Sequence, residues 1–237
     1  MRSKGLRSLT INSLKVIVLD FDGVIVESND IKRRAFSHIF SEFPSHHREI
    51  MAYHHAHNAV NRHDKFRHIM EHILKQEFDS ARANDWATRF SAMTRDGIIA
   101  CPYVDGALEF LGFFSKKCPL YMASATPLDE LTVILKRRGL HRYFKGIYGA
   151  PAPKKAIFER IMRAEDVRPV DILYIGDSKE DYEVAKGIGC VFIGRNSGYD
   201  FSGLGIKCFD DLAQAKSCIA AWHGAHGRKN GLPDTTL

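Results

Sequence analysis

The chain has 237 residues, 45% hydrophobic and 26% charged, a balance that excludes disordered, fibrous and collagen-like classes. It holds no run of about 18 apolar residues. Residues 1–15 lack the apolar stretch and small-residue cleavage site of a secretory leader, so the expectation is a cytoplasmic protein without a membrane partner. Lys and Arg number 34 against 28 Asp and Glu, a formal net charge of +6, which suits anionic partners. The basic residues are scattered in short groups with no nucleic-acid module around them, so no nucleic-acid partner is expected. Five widely spaced cysteines without a C-x-x-C pair indicate neither a disulfide framework nor a zinc ribbon.

In chain order, residues 15–20 (KVIVLD) form a β-branched apolar run that stops at Asp20-Phe21-Asp22-Gly23, as a buried parallel strand feeding a loop would. Residues 28–100 contain no comparable run. They carry helix-period stretches at 31–43, 62–75 and 80–93, which predict a helical insertion placed as a lid over the strand ends. After it come further strand-like runs at 119–123, 147–148, 172–175 and 191–193. Between them lie predicted helices at 106–114, 128–138 closed by Gly139, 155–162, and 181–186 closed by Gly187 or Gly189. This alternation predicts an α/β fold, a Rossmann-like doubly wound parallel sheet core with an inserted α-helical cap domain. The expected division is 1–27 with 101–237 for the core and 28–100 for the cap, the polar, Gly-rich tail from about 223 being without fixed structure.

Ligands of such sheets bind beyond the carboxyl ends of the strands, where the candidate chemistry collects. Strand alternation puts Asp20 and Asp22 on the same side, a few ångströms apart. Two such carboxylates repel unless a cation lies between them or one takes a proton. Gly23 allows a tight turn and close backbone approach to a ligand. Gly176-Asp177 ends another apolar run, and Asp177 meets Asp20 if the two strands are neighbours. Hard oxygen donors without clustered soft ligands favour Mg²⁺. Asp181, at a helix start, either caps that helix or holds a metal-bound water. In Asn61-Arg62-His63-Asp64-Lys65-Phe66, Arg62 and Lys65 fall three apart on one helical face and could meet an anionic substrate tail. Eight histidines crowd residues 46–72. His68 and His72 have i, i+4 spacing but lack the H-E-x-x-H pattern, so packed or surface lid residues are expected there rather than zinc ligands.

Together these motifs resemble the haloacid dehalogenase superfamily, in its phosphoglycolate phosphatase-like group with a helical cap. Asp20-Phe21-Asp22-Gly23-Val24 is similar to that family's D-x-D-x-V/T motif, Ser124 to its strand-end Ser/Thr, Lys154 after Ala-Pro-Ala-Pro to its basic motif, and Gly176-Asp177-x-x-x-Asp181 to its acidic one. The motif order and the place of the insertion also match, over residues 16–212. The resemblance implies a Mg²⁺-dependent phosphatase for a small phosphorylated metabolite, with Asp20 as nucleophile and Asp22 as general acid and base. It implies Mg²⁺ held by Asp20, Asp177 and the Asp22 carbonyl, with Ser124 and Lys154 on the phosphoryl oxygens and Thr126 adding a hydroxyl. Lys155 competes with Lys154 for the basic role, and Pro127 makes a helix cap the competing role for Ser124 and Thr126. Sugar-phosphate mutases share the fold, but they usually carry His where this chain has Lys32. A dehalogenase needs no acid at Asp22, and a non-catalytic binding protein need not fill every catalytic position.

Overall fold

Valine and isoleucine at 16–18 followed by Leu19 form β1 (Val16–Leu19), every residue of which is buried. The computed structural model describes residues 14–57 and 60–226. Around β1 lie β2 (Leu120–Pro127), β3 (Gly146–Ala150), β4 (Ile172–Gly176), β5 (Val191–Arg195) and β6 (Lys207–Phe209). All adjacent pairs are parallel, in the order β3-β2-β1-β4-β5-β6. The chain crosses over in one direction from β1 to β3 and returns to the other side at β4. The strand order therefore reverses beside β1, which is where ligand crevices open in such sheets.

Period-two alternation divides the sheet residues between two cores. Ile17, Leu19, Leu120, Met122, Leu173 and Ile175 share one, with α5 (Ala107–Phe114), α6 (Leu128–Arg137) and α9 (Leu212–His226) supplying Phe110, Leu131, Ile134, Leu212 and Ile219. Val16, Val18, Tyr121, Ile172 and Tyr174 share the other, with Ile157, Phe158 and Ile161 of α7 (Lys154–Glu165) and Ala185 of α8 (Lys179–Ile188). Each fully buried Leu, Ile or Phe contributes roughly 1.5–3 kcal/mol, so this double-sided burial fixes the position of the strand ends.

Residues 29–100 are helical wherever the described chain is regular: α1 (Asn29–Ile39), α2 (His47–Ala56), α3 (Arg62–His68) and α4 (Ser80–Ala100). They bury a third apolar cluster of their own, centred on Phe36, Phe40, Phe66, Trp86 and Phe90. The outgoing and returning legs of this segment pair with each other. Val104 N–H donates to the Ile25 carbonyl at 3.0 Å and Glu27 N–H to the Pro102 carbonyl at 3.0 Å, so α1 and α4 start and end side by side.

Several boundaries differ from the sequence expectation. The helix expected over 62–75 passes after His68 into a π-helical turn, Ile69–Ile73. Helix α4 runs on beyond residue 93 because Thr94 and Ile98 continue its buried stripe. Strand β2 does not stop at Ser124: after a register shift Pro127 pairs with Ala150, which keeps Ser124 and Thr126 on the strand rather than at a helix start. Helix α2, which buries only Ile50 and His54, and the three-residue edge strand β6 gave no apolar run to recognise. Residues 223–226 of the expected unstructured tail are the end of α9, and the rest of that tail lies outside the described residues. No described helix is long and apolar enough to cross a membrane.

Candidate active site

Asp20 leaves β1 while still in the ladder, its N–H donating to the Ile175 carbonyl of β4 at 3.0 Å. This pairing puts Asp20 beside Asp177, which follows β4 directly. Asp20, Asp177 and Asp181 are all buried, with one carboxylate oxygen from each lying within 4.8 Å of the others. The sequence expectation that Asp177 meets Asp20 rested on β1 and β4 being neighbours, and they are.

The three carboxylates differ in what holds them. Asp20 Oδ1 accepts its neighbour Phe21 N–H at 2.6 Å and Oδ2 accepts Lys154 Nζ at 2.8 Å. The Lys154 ammonium also donates to Tyr174 Oη at 2.9 Å and to Asp181 Oδ1. Lys154, at the first position of α7, is therefore the one of the two adjacent lysines that reaches the carboxylates. Burial would strip its proton, but Asp181 and Asp20 outweigh that and raise its pKa. Asp181 is fully enclosed. Ser178 is the N-cap of α8, its Oγ accepting Asp181 N–H at 3.1 Å and donating to Asp181 Oδ2 at 2.6 Å, and Tyr174 Oη donates to Oδ1. Asp181 thus completes a capping box as its third helical residue and presents its charge to Lys154. Burial opposes its ionisation, yet Lys154 and these hydrogen bonds lower its pKa.

One ammonium does not neutralise three carboxylates. Burial, then the repulsion of Asp181 and Asp177, push Asp20 up to about 7 against the pull of Lys154. Burial and Asp181 push Asp177 up to about 6, although Ser197 Oγ and Asn29 Nδ2, the latter at 2.8 Å, both donate to its Oδ2. A surplus of buried negative charge on hard oxygen donors fits a small divalent cation.

Asp22 points elsewhere. Its Oδ1 accepts Ser28 Oγ at 2.6 Å, and its Oδ2 accepts Thr126 Oγ1 at 2.9 Å and the Lys32 ammonium. Burial raises its pKa, but Lys32 and the hydrogen bonds from Lys32, Ser28 and Thr126 prevail and lower it. The side chain of Asp22 therefore stands apart from the Asp20, Asp177 and Asp181 cluster, on the side of α1 and β2. Gly23 has φ +70, and a Cβ on it would lie 2.0 Å from Asp177 Oδ2 and 2.4 Å from Asn29 Nδ2. Its N–H donates to the Val26 carbonyl at 2.9 Å. Glycine is needed here to make room for the Asp177 carboxylate. Ser124 is buried in the second half of β2, its Oγ accepting Thr126 N–H at 3.1 Å.

A cavity of about 60 Å³ opens over these groups, walled by Asp20, Asp22, Ala125, Thr126 and Asp177 below and by Lys32, Phe36, His54, Arg62 and Lys65 above. Arg62 and Lys65, the two cations singled out from sequence, both line it, but they are held differently. Arg62 is spent on an ion pair with Glu130 of α6 at 3.0 Å, with Ser91 Oγ bridging both, and it lies 4.7 Å over the Phe90 ring. Lys65 is buried beside His54, Nζ to Nδ1 3.3 Å, and burial with the nearby Lys32 pushes its pKa down to about 7. Burial and the Lys65 charge push His54 down to about 2, so its ring is neutral and stacks on Phe36 at 3.9 Å.

Sequence reasoning missed Ser28, Asn29, His54, Tyr174 and Ser197. Asn29 and Ser197 converge on Asp177 from positions 168 residues apart, and His54 had no local feature to separate it from its seven neighbours.

The sequence model of the haloacid dehalogenase-like hydrolases matches residues 17–195. A phosphoglycolate phosphatase of Shigella boydii serotype 4 is 26% identical over 121 residues, covering 47% of this chain and 46% of that protein. The match thus spans about half the length of the curated relative. Among solved structures, a hydrolase from Pseudomonas syringae superposes with a TM-score of 0.73 at 16% identity, over 87% of this chain and 98% of that one. CbbY of Rhodobacter sphaeroides in complex with phosphate superposes with a TM-score of 0.65 at 19% identity, over 85% and 96%. These two share the fold. With the family match over most of its length and carboxylates converging at the ends of β1 and β4, the chain belongs to the haloacid dehalogenase-like hydrolases.

Proposed function

We propose that the chain is a Mg²⁺-dependent phosphatase that hydrolyses a small phosphorylated metabolite through an aspartyl-phosphate, with residues 28–100 as its cap. The observation that carries this reading is the separation of the two motif aspartates. Asp20 lies within the metal-binding carboxylates and on Lys154, while Asp22, two residues on, faces the other side of the same cavity. Asp20, beside the carboxylates whose surplus charge a cation would neutralise, suits the nucleophile, and Asp22, set apart with hydrogen-bond donors on both oxygens, suits the group that exchanges protons with the ester oxygen and water. The curated relative's phosphoglycolate phosphatase activity and the phosphate held by CbbY agree with a phosphate ester as substrate.

In this reading Asp20 attacks phosphorus in line and the ester oxygen leaves toward Asp22, which gives it a proton and later takes one from the attacking water. Lys154 neutralises phosphoryl oxygens and keeps Asp20 oriented, and Asp181 with Tyr174 keeps Lys154 in place. Mg²⁺, held by Asp20, Asp177 and the Asp22 carbonyl, would screen the anionic nucleophile from the anionic phosphate. Ser124 and Thr126 supply hydroxyls from the second half of β2. Phe36, Phe90, Lys65 and neutral His54 enclose the leaving group, and the small cavity selects a compact one. Its place of action is the cytoplasm.

The test is phosphate release from phosphoglycolate, sugar phosphates, nucleotides and 4-nitrophenyl phosphate, with Mg²⁺ and with EDTA. Metal-dependent release is expected, together with a loss of roughly a thousandfold or more in Asp20→Asn at unchanged circular dichroism. EDTA-resistant turnover or an active Asp20→Asn protein would overturn the mechanism. Isomer formation without free phosphate would replace it with a mutase.

A further inference from the structure

The proposed mechanism leaves the cap's Lys32 without a role, although its ammonium touches the reacting groups. Lys32 and Asn29 lie one helical turn apart at the start of α1. Asn29 Nδ2 donates to Asp177 at 2.8 Å, while Lys32 Nζ donates to Asp22 Oδ2 and, at 2.9 Å, to Thr126 Oγ1. One face of one cap helix therefore holds a carboxylate at each of two core strands. The helix is itself fixed: Ile31 packs against Gly97 of α4 so closely that a Cβ there would lie 3.3 Å from it. Ser28 and Thr126 offer Asp22 neutral hydroxyls, whereas a partly buried ammonium on a carboxylate makes a stronger, charge-assisted bond.

We propose that Lys32 is a positioning residue for leaving-group departure: its ammonium fixes Asp22 on the cavity side of Asp20 and forms with it the pair that exchanges the proton. This rests on the phosphatase reading and assigns a new residue within it. As Asp20 bonds to phosphorus, the ester P–O bond breaks, its electron pair stays on the ester oxygen, and that oxygen takes a proton from the Asp22–Lys32 pair. When water attacks the aspartyl-phosphate, Asp20 leaves with the electron pair of its P–O bond and the water's proton returns to the pair. The pair is one proton short only between the two steps. Because Lys32 belongs to the cap, proton delivery is complete only while α1 is seated on the core.

The experiment is kcat/KM for 4-nitrophenyl, phenyl and 4-methoxyphenyl phosphate, which reports the step through leaving-group departure. Nitrophenolate departs without a proton, while the other two need one. Lys32→Met should lose less than about tenfold on the nitrophenyl ester and about a hundredfold or more on the 4-methoxyphenyl ester, steepening the dependence on leaving-group acidity. Lys32→Arg should restore the shallow dependence of the parent, and Lys32→Gln should behave as Lys32→Met should Met disturb folding by circular dichroism. Equal losses across the three esters in the folded variants would make Lys32 a phosphate contact or a scaffold residue and overturn the proposal. A parent protein inert toward all three with Mg²⁺ would instead overturn the phosphatase reading on which it stands.

Discussion

Gly23 shows how much a single missing Cβ decides. The loop after β1 must turn within a few residues while Asp177 and Asn29 crowd it from two directions, and φ +70 with a would-be contact of 2.0 Å leaves no space for a side chain. Gly23→Ala is expected to cost about 1–3 kcal/mol of stability from the backbone strain alone. It should also displace the Asp177 carboxylate and so weaken Mg²⁺ binding. Chemical denaturation with and without Mg²⁺ reads both effects, and a variant as stable and as metal-responsive as the parent would contradict the geometry. The sequence marked this position as a tight turn with close approach of the backbone to a ligand, and φ +70 makes the turn. It could not show that the approaching group is a carboxylate of the chain itself, 154 positions away (177 minus 23).

Between elements, a buried ion pair joins α3 to α6 beside the apolar cluster that Ile98 of α4 shares with Leu131 and Ile134 of α6. Arg62 and Glu130 are 9% and 8% exposed in their side chains, and one Glu130 oxygen has no hydrogen-bond partner. Glu130→Leu leaves the Arg62 guanidinium enclosed without its counter-charge, and a loss of about 3–5 kcal/mol is expected. The double variant Arg62→Met with Glu130→Leu should recover most of it, because neither charge is then stranded. A denaturation cycle over the four proteins measures this coupling, and additive losses would mean the two residues act independently. The cation at 62 was legible as a helical residue on one face with Lys65. Its partner was not, since nothing in the helix-start composition of Leu128-Asp129-Glu130 distinguishes a dipole-favouring carboxylate from one that crosses to another helix.

At the scale of the molecule, the sheet concentrates more negative charge at one end than its lysine balances. Asp20 and Asp177 bind protons more tightly in the folded protein, at about 7 and about 6, than in the unfolded chain near 3.8. Over that window the folded state carries more protons, so their contribution to metal-free stability falls as pH rises from about 4 to about 7. His54, pushed down to about 2, acts the opposite way up to its unfolded value of 6.5, since it stays neutral when folded and takes a proton when unfolded. The two carboxylates outnumber it. Mg²⁺ held as proposed needs both carboxylates ionised and must displace those protons at low pH. The rise in thermal midpoint produced by Mg²⁺ over EDTA should therefore grow between about pH 5 and about pH 7.5. A metal-induced rise that is constant or larger at the acid end would argue against Asp20 and Asp177 as the ligands.

What the sequence by itself determined was local. Apolar runs that stop at Asp20 and Gly176 define strands with functional ends, because a buried parallel strand must be apolar throughout and its loop need not be. Gly139 and Gly189 close helices because each stands at positive φ. The four motifs in order sufficed to recognise the family. What only the tertiary structure decided was every contact made across the chain. Strand order brings Asp177 to Asp20, the first position of α7 carries Lys154 rather than Lys155 onto both, and the seating of α1 puts Lys32 on Asp22. Periodicity fixes which face of an element is buried, but the partner of a polar side chain depends on packing between elements distant in sequence. For that reason the carboxylates were readable from the sequence and the residues that hold them were not.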